Sequence, residues 1–184
     1  LAIEEDIKDG DHSALACIPY DANGKAKLLV KEDGIIAGIA IAKQIFKEFD
    51  NNIQFEQLIE DGSEVKYGDI AFYINGNSQK LLSAERLVLN VMQRMSAIAT
   101  LTKKYVNELN GLKTKVLDTR KTTPLLRFLE KEAVLIGGGL NHRMGLYDMI
   151  MLKDNHIDFA GSSEKAIYKS EYDRNASKMK FYKS

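Results

Sequence analysis

The sequence predicts an α/β protein whose N-terminal and C-terminal halves are built differently. Short apolar runs separated by turn residues fill residues 26–74, which is typical of strands. A helical repeat of apolar residues follows at 83–109. A strand–helix–strand order then occupies residues 115–153, the pattern of a parallel α/β unit. We therefore expect an α/β domain at residues 1–100, which includes the start of the long helix, and a second α/β domain at residues 101–184.

The elements of the first half follow from local patterns. Residues 1–25 contain many turn formers and are predicted to be loop-rich. Apolar residues at 41, 45, 46 and 49 predict a short amphipathic helix over 40–49. Extended segments are predicted before and after this helix, at 26–30, 34–38, 53–58 and 69–74.

The long helix has recognisable start and stop signals. Ser83 is a residue type that caps helix N-termini, and apolar residues recur at 87, 91, 95, 98 and 101. The dipeptide at 110–111 is Asn-Gly, which favours termination. A helix of this length after a strand-rich region is expected to bridge the two domains.

The second half is predicted to form a strand at 115–119, a helix at 124–134 that begins at Pro124, and a strand at 148–153. Polar and cationic side chains follow both strands. Ligands of parallel α/β proteins bind at the carboxyl ends of the strands, so we expect these side chains to converge. Thr122 and Thr123 are further expected to offer hydroxyl groups and backbone amides to an anion.

Composition limits the classes of function. The chain has 26 Lys and Arg against 26 Asp and Glu, so it has no overall charge to attract nucleic acid or an anionic membrane. Any anion must be bound by a local cluster such as the one predicted here. The longest apolar stretch, 35–42, is much shorter than the ~20 residues of a membrane span. Cys17 is the only cysteine, which excludes an internal disulfide. We expect a cytoplasmic protein.

Arg120, Lys121, Arg143 and Lys153 are the cations that these strand ends supply. Arginine binds carboxylate and phosphate through a fork of donors, and lysine acts as a compact point charge. Taken singly, each motif has an ordinary explanation: a solvated pair of cations, a flexible triple-glycine turn, or a structural histidine. Their joint occurrence favours a site for a small polyanion.

Three segments resemble the quinolinate phosphoribosyltransferase family, also called nicotinate-nucleotide pyrophosphorylase (carboxylating). They are 118–124 (DTRKTTP), 137–148 (GGGLNHRMGLYD) and 152–157 (LKDNHI). Residues 85–100 resemble the long helix of the family, and residues 5–13 resemble its amino-terminal segment. The resemblance runs from about residue 3 to Gly161, in order. It implies an N-terminal α/β sandwich domain followed by an α/β barrel of the quinolinate phosphoribosyltransferase type, which is incomplete here.

The resemblance also implies a reaction. Family members transfer the phosphoribosyl group of phosphoribosyl pyrophosphate to quinolinate with Mg²⁺, and they release pyrophosphate and CO₂ to give nicotinate mononucleotide for NAD synthesis. It assigns catalytic roles to Lys121 and Lys153, and contact with phosphoribosyl pyrophosphate to Lys121. Quinolinate contacts are assigned to Arg86, Thr119, Arg120, His142, Arg143 and Lys153. Arg86 is expected to cross the interface of a homodimer, or of a multiple of dimers, into the partner's site.

The sequence departs from the family pattern beyond Gly161. Residues 162–184 do not supply the acidic ligands expected for Mg²⁺, so the metal ligands are expected outside this chain. Either the polypeptide ends early or the sequence is part of a longer enzyme; we favour the second, because a partial barrel exposes strand edges. Two other functions remain open: a non-catalytic fragment that binds a pyridine dicarboxylate, and a related phosphoribosyltransferase for another base.

Overall fold

The computed structural model describes residues 1–177, and its elements alternate between helices and short strands. In chain order they are α1 (Ala2–Ile7), α2 (His12–Cys17), β1 (Asn23–Leu29), β2 (Gly34–Ile35), α3 (Ile39–Phe49), β3 (Gln54–Gln57), β4 (Glu64–Val65), β5 (Ile70–Asn77), α4 (Ser78–Glu108), α5 (Arg127–Ile136), α6 (Asp154–Ala160) and α7 (Ser163–Ser177). The predicted α/β class is confirmed. Two short helices, α1 and α2, lie where the sequence predicted loops.

The first half is an antiparallel sheet covered by helices. Its strand order is β1-β5-β3, and β5 pairs antiparallel with both neighbours. The side chains of Phe72 and Ile74 on β5 are buried against α3 and α4. Phe55 stacks on Phe72 with the ring centroids 4.4 Å apart, and Phe46 of α3 meets Phe72 edge-on at 6.4 Å. These aromatic contacts form the centre of the core, as the alternation of apolar residues in the strands predicts.

Helix α4 begins five residues before the predicted start. Asn77, the last residue of β5, caps it by accepting a hydrogen bond from the Lys80 backbone N–H at 3.2 Å. The prediction that Ser83 caps the helix is therefore wrong. The Ser83 hydroxyl lies within the first two turns and donates instead to the Gln79 carbonyl and to the Asp11 carboxylate. The strand runs directly into the helix without the intervening turn that sequence reasoning assumed.

Helix α4 connects the two halves of the fold. It is 31 residues long, which at 1.5 Å per residue is about 46 Å. Its buried side chains follow at intervals of three or four residues in a single stripe: Leu81, Ala84, Val88, Met92, Met95, Ala99 and Thr102. The first part of the stripe packs on the sheet and α3, and the later part packs on α5. Ser96 and Thr100 also accept hydrogen bonds from the backbone N–H groups of Ala37 and Ile35, both at 2.9 Å. One helix therefore holds both halves.

The second half has less regular structure than predicted. The strand expected at 115–119 is reduced to a parallel bridge between Leu117 and Leu140. The strand expected at 148–153 does not form, because no neighbouring strand among residues 1–177 provides it with backbone partners. The helix expected at 124 begins instead at Arg127, after a turn at 124–126. No helix within residues 1–177 is both long and apolar enough to cross a bilayer.

Candidate active site

Two loops leave the Leu117–Leu140 bridge side by side. The Asp118 backbone N–H donates to the Leu140 carbonyl at 3.1 Å, and the Leu140 N–H donates to the Val116 carbonyl at 2.9 Å. We call residues 118–123 the first loop and residues 141–145 the second loop. The first loop contains Thr119, Arg120 and Lys121, and the second contains His142 and Arg143, so the structure brings five of the seven predicted site residues into adjacent segments.

A buried ion pair joins the first loop to α5. The Lys131 ammonium contacts Asp118 Oδ1, and only 1% and 6% of the two side chains are exposed. The same carboxylate accepts the His142 backbone N–H at 2.8 Å. With its nitrogen turned toward Asp118, the Asn141 amide donates to Oδ2 at 2.5 Å and to the Lys131 carbonyl at 3.0 Å. Asp118 is thus the point at which both loops and α5 meet.

A second network holds the other end of the first loop. Glu130, which is 7% exposed, accepts the Thr123 backbone N–H at 3.1 Å and the Arg94 guanidinium at 2.6 Å. Arg94 also donates to the Thr123 hydroxyl at 2.9 Å. Burial raises the pKa of Glu130, but the hydrogen bonds from Thr123 and Arg94 outweigh it and hold the pKa below its ordinary value. Glu130 is therefore ionised at neutral pH.

Arg127 of α5 links the two loops. Its Nε donates to the Thr122 hydroxyl at 3.0 Å, and its Nη1 donates to the Met144 carbonyl at 3.0 Å. The hydroxyl groups of Thr122 and Thr123 and the Thr123 amide therefore have protein partners. The Thr123 amide, which donates to Glu130, is therefore not free for an anion. The two hydroxyl groups accept these hydrogen bonds and keep their own protons to donate, so their contact with an anion stays a prediction.

Arg120 and Arg143 are the most buried of the predicted site cations. Arg120 is partly buried, and its Nε is buried without an acceptor among the residues that the structure describes. Arg143 is 8% exposed, and its Nη1 donates to the Met149 carbonyl at 3.2 Å. Buried polar groups are almost always hydrogen-bonded, so the Nε of Arg120 needs an acceptor that the described residues do not provide.

The other residues of the two loops lie closer to solvent. Thr119 and Lys121 are exposed, and the Thr119 hydroxyl accepts the Lys121 backbone N–H at 3.1 Å. His142 is half-buried beside Asp118. The exposed ammonium of Lys121 can therefore reach a ligand that also contacts Arg120.

Asp148 closes the turn after the second loop. Its carboxylate accepts the backbone N–H groups of Met144 and Gly145 at 2.7 and 2.9 Å. Burial raises its pKa, but these hydrogen bonds and the nearby charge of Arg143 lower the pKa below the ordinary aspartate value. The ionised Asp148 offsets part of the charge of Arg143 and fixes the backbone next to it.

Lys153 and Arg86 are the two predicted site residues that lie outside the two loops. Lys153 is exposed at the N-terminus of α6, and its backbone N–H donates to His156 Nδ1 at 3.0 Å. Arg86 is exposed on α4, two turns before Arg94, about 12 Å away along the helix axis. Within residues 1–177, no hydrogen bond or ion pair joins either side chain to the first or second loop.

A metal site is not assembled by these residues. In the part of the chain that the structure describes, no group of three or more His, Cys, Asp or Glu side chains is arranged to hold a metal ion. The three carboxylates that contact the loops, Asp118, Glu130 and Asp148, are engaged by Lys131, by Arg94 and by backbone amides. These donors therefore do not fit Mg²⁺.

Sequence reasoning missed the residues that support the loops. Glu130, Lys131 and Arg94 are charged residues in helical patterns, which normally lie on solvated faces. The available signal was Asp118, a carboxylate at a strand end among three cations that needs a compensating partner. Nothing local identifies that partner as Lys131, 13 residues further along the chain.

Both domains of one family match this chain. The N-terminal domain of quinolinate phosphoribosyl transferase matches residues 11–96, and the C-terminal domain of the same enzyme matches residues 98–180. The expectation that the resemblance ends at Gly161 is wrong, since the match continues to residue 180.

Residues 178–184, the last part of the segment beyond Gly161, lie outside the described residues. The boundary at residue 100 falls within α4, and the division into domains stays a prediction.

Curated relatives come from plants and bacteria. The chain is 51% identical over 168 residues to quinolinate phosphoribosyltransferase [decarboxylating] 1b of Nicotiana tabacum, covering 91% of this chain and 47% of that protein. It is 48% identical over 168 residues to the chloroplastic nicotinate-nucleotide pyrophosphorylase [carboxylating] of Arabidopsis thaliana, covering 91% of this chain and 48% of the relative. The chain thus spans about half the length of these relatives.

Solved structures give the same result. NadC from Streptococcus pyogenes superposes with a TM-score of 0.88 at 42% identity, covering 93% of this chain and 61% of that one. The nicotinate-nucleotide pyrophosphorylase of Francisella tularensis superposes with a TM-score of 0.88 at 37% identity, covering 98% and 64%. From the two matching domains, the identities and the shared fold, it follows that this chain belongs to the quinolinate phosphoribosyltransferase family.

Proposed function

We propose that the protein is a pentosyltransferase that transfers the phosphoribosyl group of phosphoribosyl pyrophosphate to quinolinate with decarboxylation. The products are nicotinate mononucleotide, pyrophosphate and CO₂, which places the reaction in NAD biosynthesis. Membership of the family supports this reaction, since relatives that carry the decarboxylating name are 51% identical to this chain. The two cationic loops supply the chemistry that a dianionic substrate requires.

The unpartnered Nε of Arg120 is the observation that carries the proposal. This guanidinium nitrogen is buried and lacks an acceptor among the described residues, and a ligand carboxylate oxygen would provide one. Arg143, buried in the adjacent loop, supplies a second guanidinium. Quinolinate has two neighbouring carboxylates, and two arginines on neighbouring loops complement them. The charge of Asp118 does not cancel these cations, because Lys131 neutralises it.

The remaining roles are proposed on position and residue type. Thr119 and His142 lie next to the two arginines and are proposed to hydrogen-bond quinolinate. Lys121, exposed beside Arg120, is proposed to bind phosphoribosyl pyrophosphate and to stabilise the negative charge that develops on departing pyrophosphate. Lys153 is proposed to approach the quinolinate carboxylates by movement of the segment before α6, and there to favour loss of CO₂.

Arg86 is proposed to complete the site of a second subunit. Its side chain is exposed on α4 and makes no hydrogen bond or ion pair with the two loops within residues 1–177. An exposed arginine on a helix is available to an interface, and a homodimer or a multiple of dimers would let each chain lend Arg86 to its partner. This assignment explains why a residue implied in quinolinate binding lies on α4 and not in either loop.

Fixed cations contribute to the reaction in two ways. They hold the pyridine nitrogen of quinolinate toward the ribose carbon, which converts an encounter of two substrates into a reaction of bound neighbours. They also stabilise negative charge on the leaving group and on the pyridine ring from which the carboxylate departs. Mg²⁺ is a proposed cofactor with ligands other than the residues of the two loops, and its removal by a chelator should abolish turnover. A cytoplasmic location is likewise proposed; relatives include proteins named mitochondrial and chloroplastic.

A substrate comparison tests the proposal. The natural polypeptide is mixed with phosphoribosyl pyrophosphate, Mg²⁺ and either quinolinate or nicotinate, and nicotinate mononucleotide is measured by chromatography together with CO₂. We expect product and CO₂ from quinolinate and little product from nicotinate. Product from nicotinate alone, without CO₂, would assign the protein to a related phosphoribosyltransferase, and binding of quinolinate without product would favour a non-catalytic role.

A further inference from the structure

Two consecutive residues of α5 hold opposite ends of the loop that contains Arg120 and Lys121. The Lys131 ammonium contacts the carboxylate of Asp118, where the first loop begins. The Glu130 carboxylate accepts the backbone N–H of Thr123, where the loop ends, at 3.1 Å. The segment between these attachments contains no regular secondary structure that could define its shape. Its conformation depends on the two ends.

The burial of both charges shows that the attachments are specific. Glu130 is 7% exposed and Lys131 is 1% exposed, whereas Glu132, the next residue, is exposed. A buried charge is stable only when it is paired and hydrogen-bonded. Lys131 has that partner in Asp118, and Glu130 has partners in Thr123 and Arg94. If the first loop moved away, both charges would lose a partner.

The same pair also reaches the second loop. Asp118 accepts the backbone N–H of His142 at 2.8 Å, and Asn141 donates to its other oxygen. Lys131 therefore fixes Asp118, and Asp118 fixes the backbone that leads into Arg143. Glu130 binds Arg94 of α4 at the same time, so the position of the first loop is tied to the helix that spans both halves of the fold.

We propose that Glu130 and Lys131 are positioning residues that set the separation between Arg120, Lys121 and Arg143. Neither side chain is directed at the substrate; each acts through the loop that it holds. This inference rests on the proposed function, because the three cations are assigned there to the substrates. A small displacement of a binding group lowers the reaction rate of the bound substrates by about 10- to 100-fold. Loosening either attachment should therefore have a measurable effect on the kinetics.

Steady-state kinetics of the full chain distinguish positioning from a merely structural role. The variants are Lys131→Met and Glu130→Met, with Glu130→Gln as the conservative change that keeps an acceptor for Thr123. Lys104→Met and Glu132→Gln, at exposed positions, are matched controls. We expect the KM for quinolinate to rise about tenfold or more in both methionine variants, less in Glu130→Gln, and not in the controls. A structural role alone would reduce the amount of active enzyme and leave KM unchanged, which would overturn the proposal.

Two further measurements keep the test decisive. If Lys131→Met does not fold, the double variant Asp118→Asn/Lys131→Met takes its place, because it removes both buried charges. We expect the double variant to fold and to show the same raised KM for quinolinate. A normal KM in this variant would contradict the positioning role. Hydrogen–deuterium exchange does not depend on activity. Residues 118–123 and 141–145 should exchange faster in the variants than in the controls, and unchanged exchange would reject the inference. Absence of product from the unmodified enzyme would reject only the proposed function.

Discussion

Lys131 and Asp118 form an ion pair that is almost completely shielded from solvent, and it joins α5 to the start of the first cationic loop. Because Lys131 neutralises Asp118, the carboxylate can organise the His142 backbone without cancelling the charges of Arg120 and Arg143. A chain with no net charge thus presents a local positive site. Local arrangement of charge, not the total, determines which anion can bind.

Replacement of Arg120 tests the anion site. Arg120→Ala should raise the KM for quinolinate and lower kcat, because loss of one partner from a desolvated charge pair costs about 2–5 kcal/mol. Arg120→Lys should recover only part of this loss, since a lysine lacks the planar fork of donors. Lys113→Ala, at an exposed position, is the control. Unchanged kinetics in Arg120→Ala would remove this residue from the site.

Mixing of variants tests whether Arg86 serves a partner subunit. Arg86→Ala and Arg120→Ala should each be nearly inactive alone. When the two variants are mixed and exchange subunits, each mixed dimer contains one site with an intact Arg86 and an intact Arg120. Random pairing makes about half of the dimers mixed, so activity should return to about a quarter of the unmodified level. No recovery after proven subunit exchange would show that Arg86 does not act across an interface.

Gly137 tests the packing of α5 on α4. A Cβ atom at this position would lie 2.5 Å from the Ala99 carbonyl oxygen and 2.7 Å from Thr102 Cβ. Gly137→Ala should therefore lower the free energy of unfolding by about 1–3 kcal/mol, as measured by urea denaturation. Gly111→Asn is the control, because its surroundings are open and asparagine tolerates its φ of 81°. Equal stability of the two variants would contradict this close approach.

The acid dependence of stability tests the ionised state of Glu130. Its folded pKa is lowered, so the ionised side chain stabilises the fold above its ordinary pKa of 4.5, and that contribution is lost as the pH falls through the folded pKa. Glu130→Gln should therefore be less stable than the unmodified protein at neutral pH, and the difference should shrink in acid. Urea denaturation between about pH 3 and pH 7 measures this difference. Glu132→Gln, at an exposed position, should show no such change, and a constant difference for Glu130→Gln would contradict the assignment.

The regular elements of the first half could be predicted because they depend on local patterns. The alternation at 53–58 and the apolar spacing at 40–49 correspond to β3 and α3. The prediction for 148–153 failed for a physical reason: an apolar segment forms a strand only beside another strand, and sequence pattern contains no information about that neighbour. The start of α4 was misplaced because Asn77 is both the end of β5 and the helix cap.

Only the loop residues of the candidate site could be predicted from the sequence, and not the residues that support them. The cations at 120 and 121 could be found because they follow a predicted strand, and Arg143 because it lies in the segment just before the next predicted strand. The supporting residues could not, because Glu130 and Lys131 resemble an exposed helical pair until the structure shows both side chains buried against the first loop. The triple glycine at 137–139 was interpreted as a flexible turn, yet Gly137 provides the close contact between α5 and α4. Such roles depend on tertiary neighbours.

A structure of the natural polypeptide with quinolinate bound would show directly whether the two loops are the substrate site. We expect one quinolinate carboxylate to accept a hydrogen bond from Arg120 Nε, at about 2.7–3.2 Å, and Arg143 to contact the same molecule. The two loops should keep the attachments to Glu130 and Lys131 seen here. Quinolinate bound elsewhere, with Arg120 Nε still lacking an acceptor, would contradict the assignment of these loops as the substrate site.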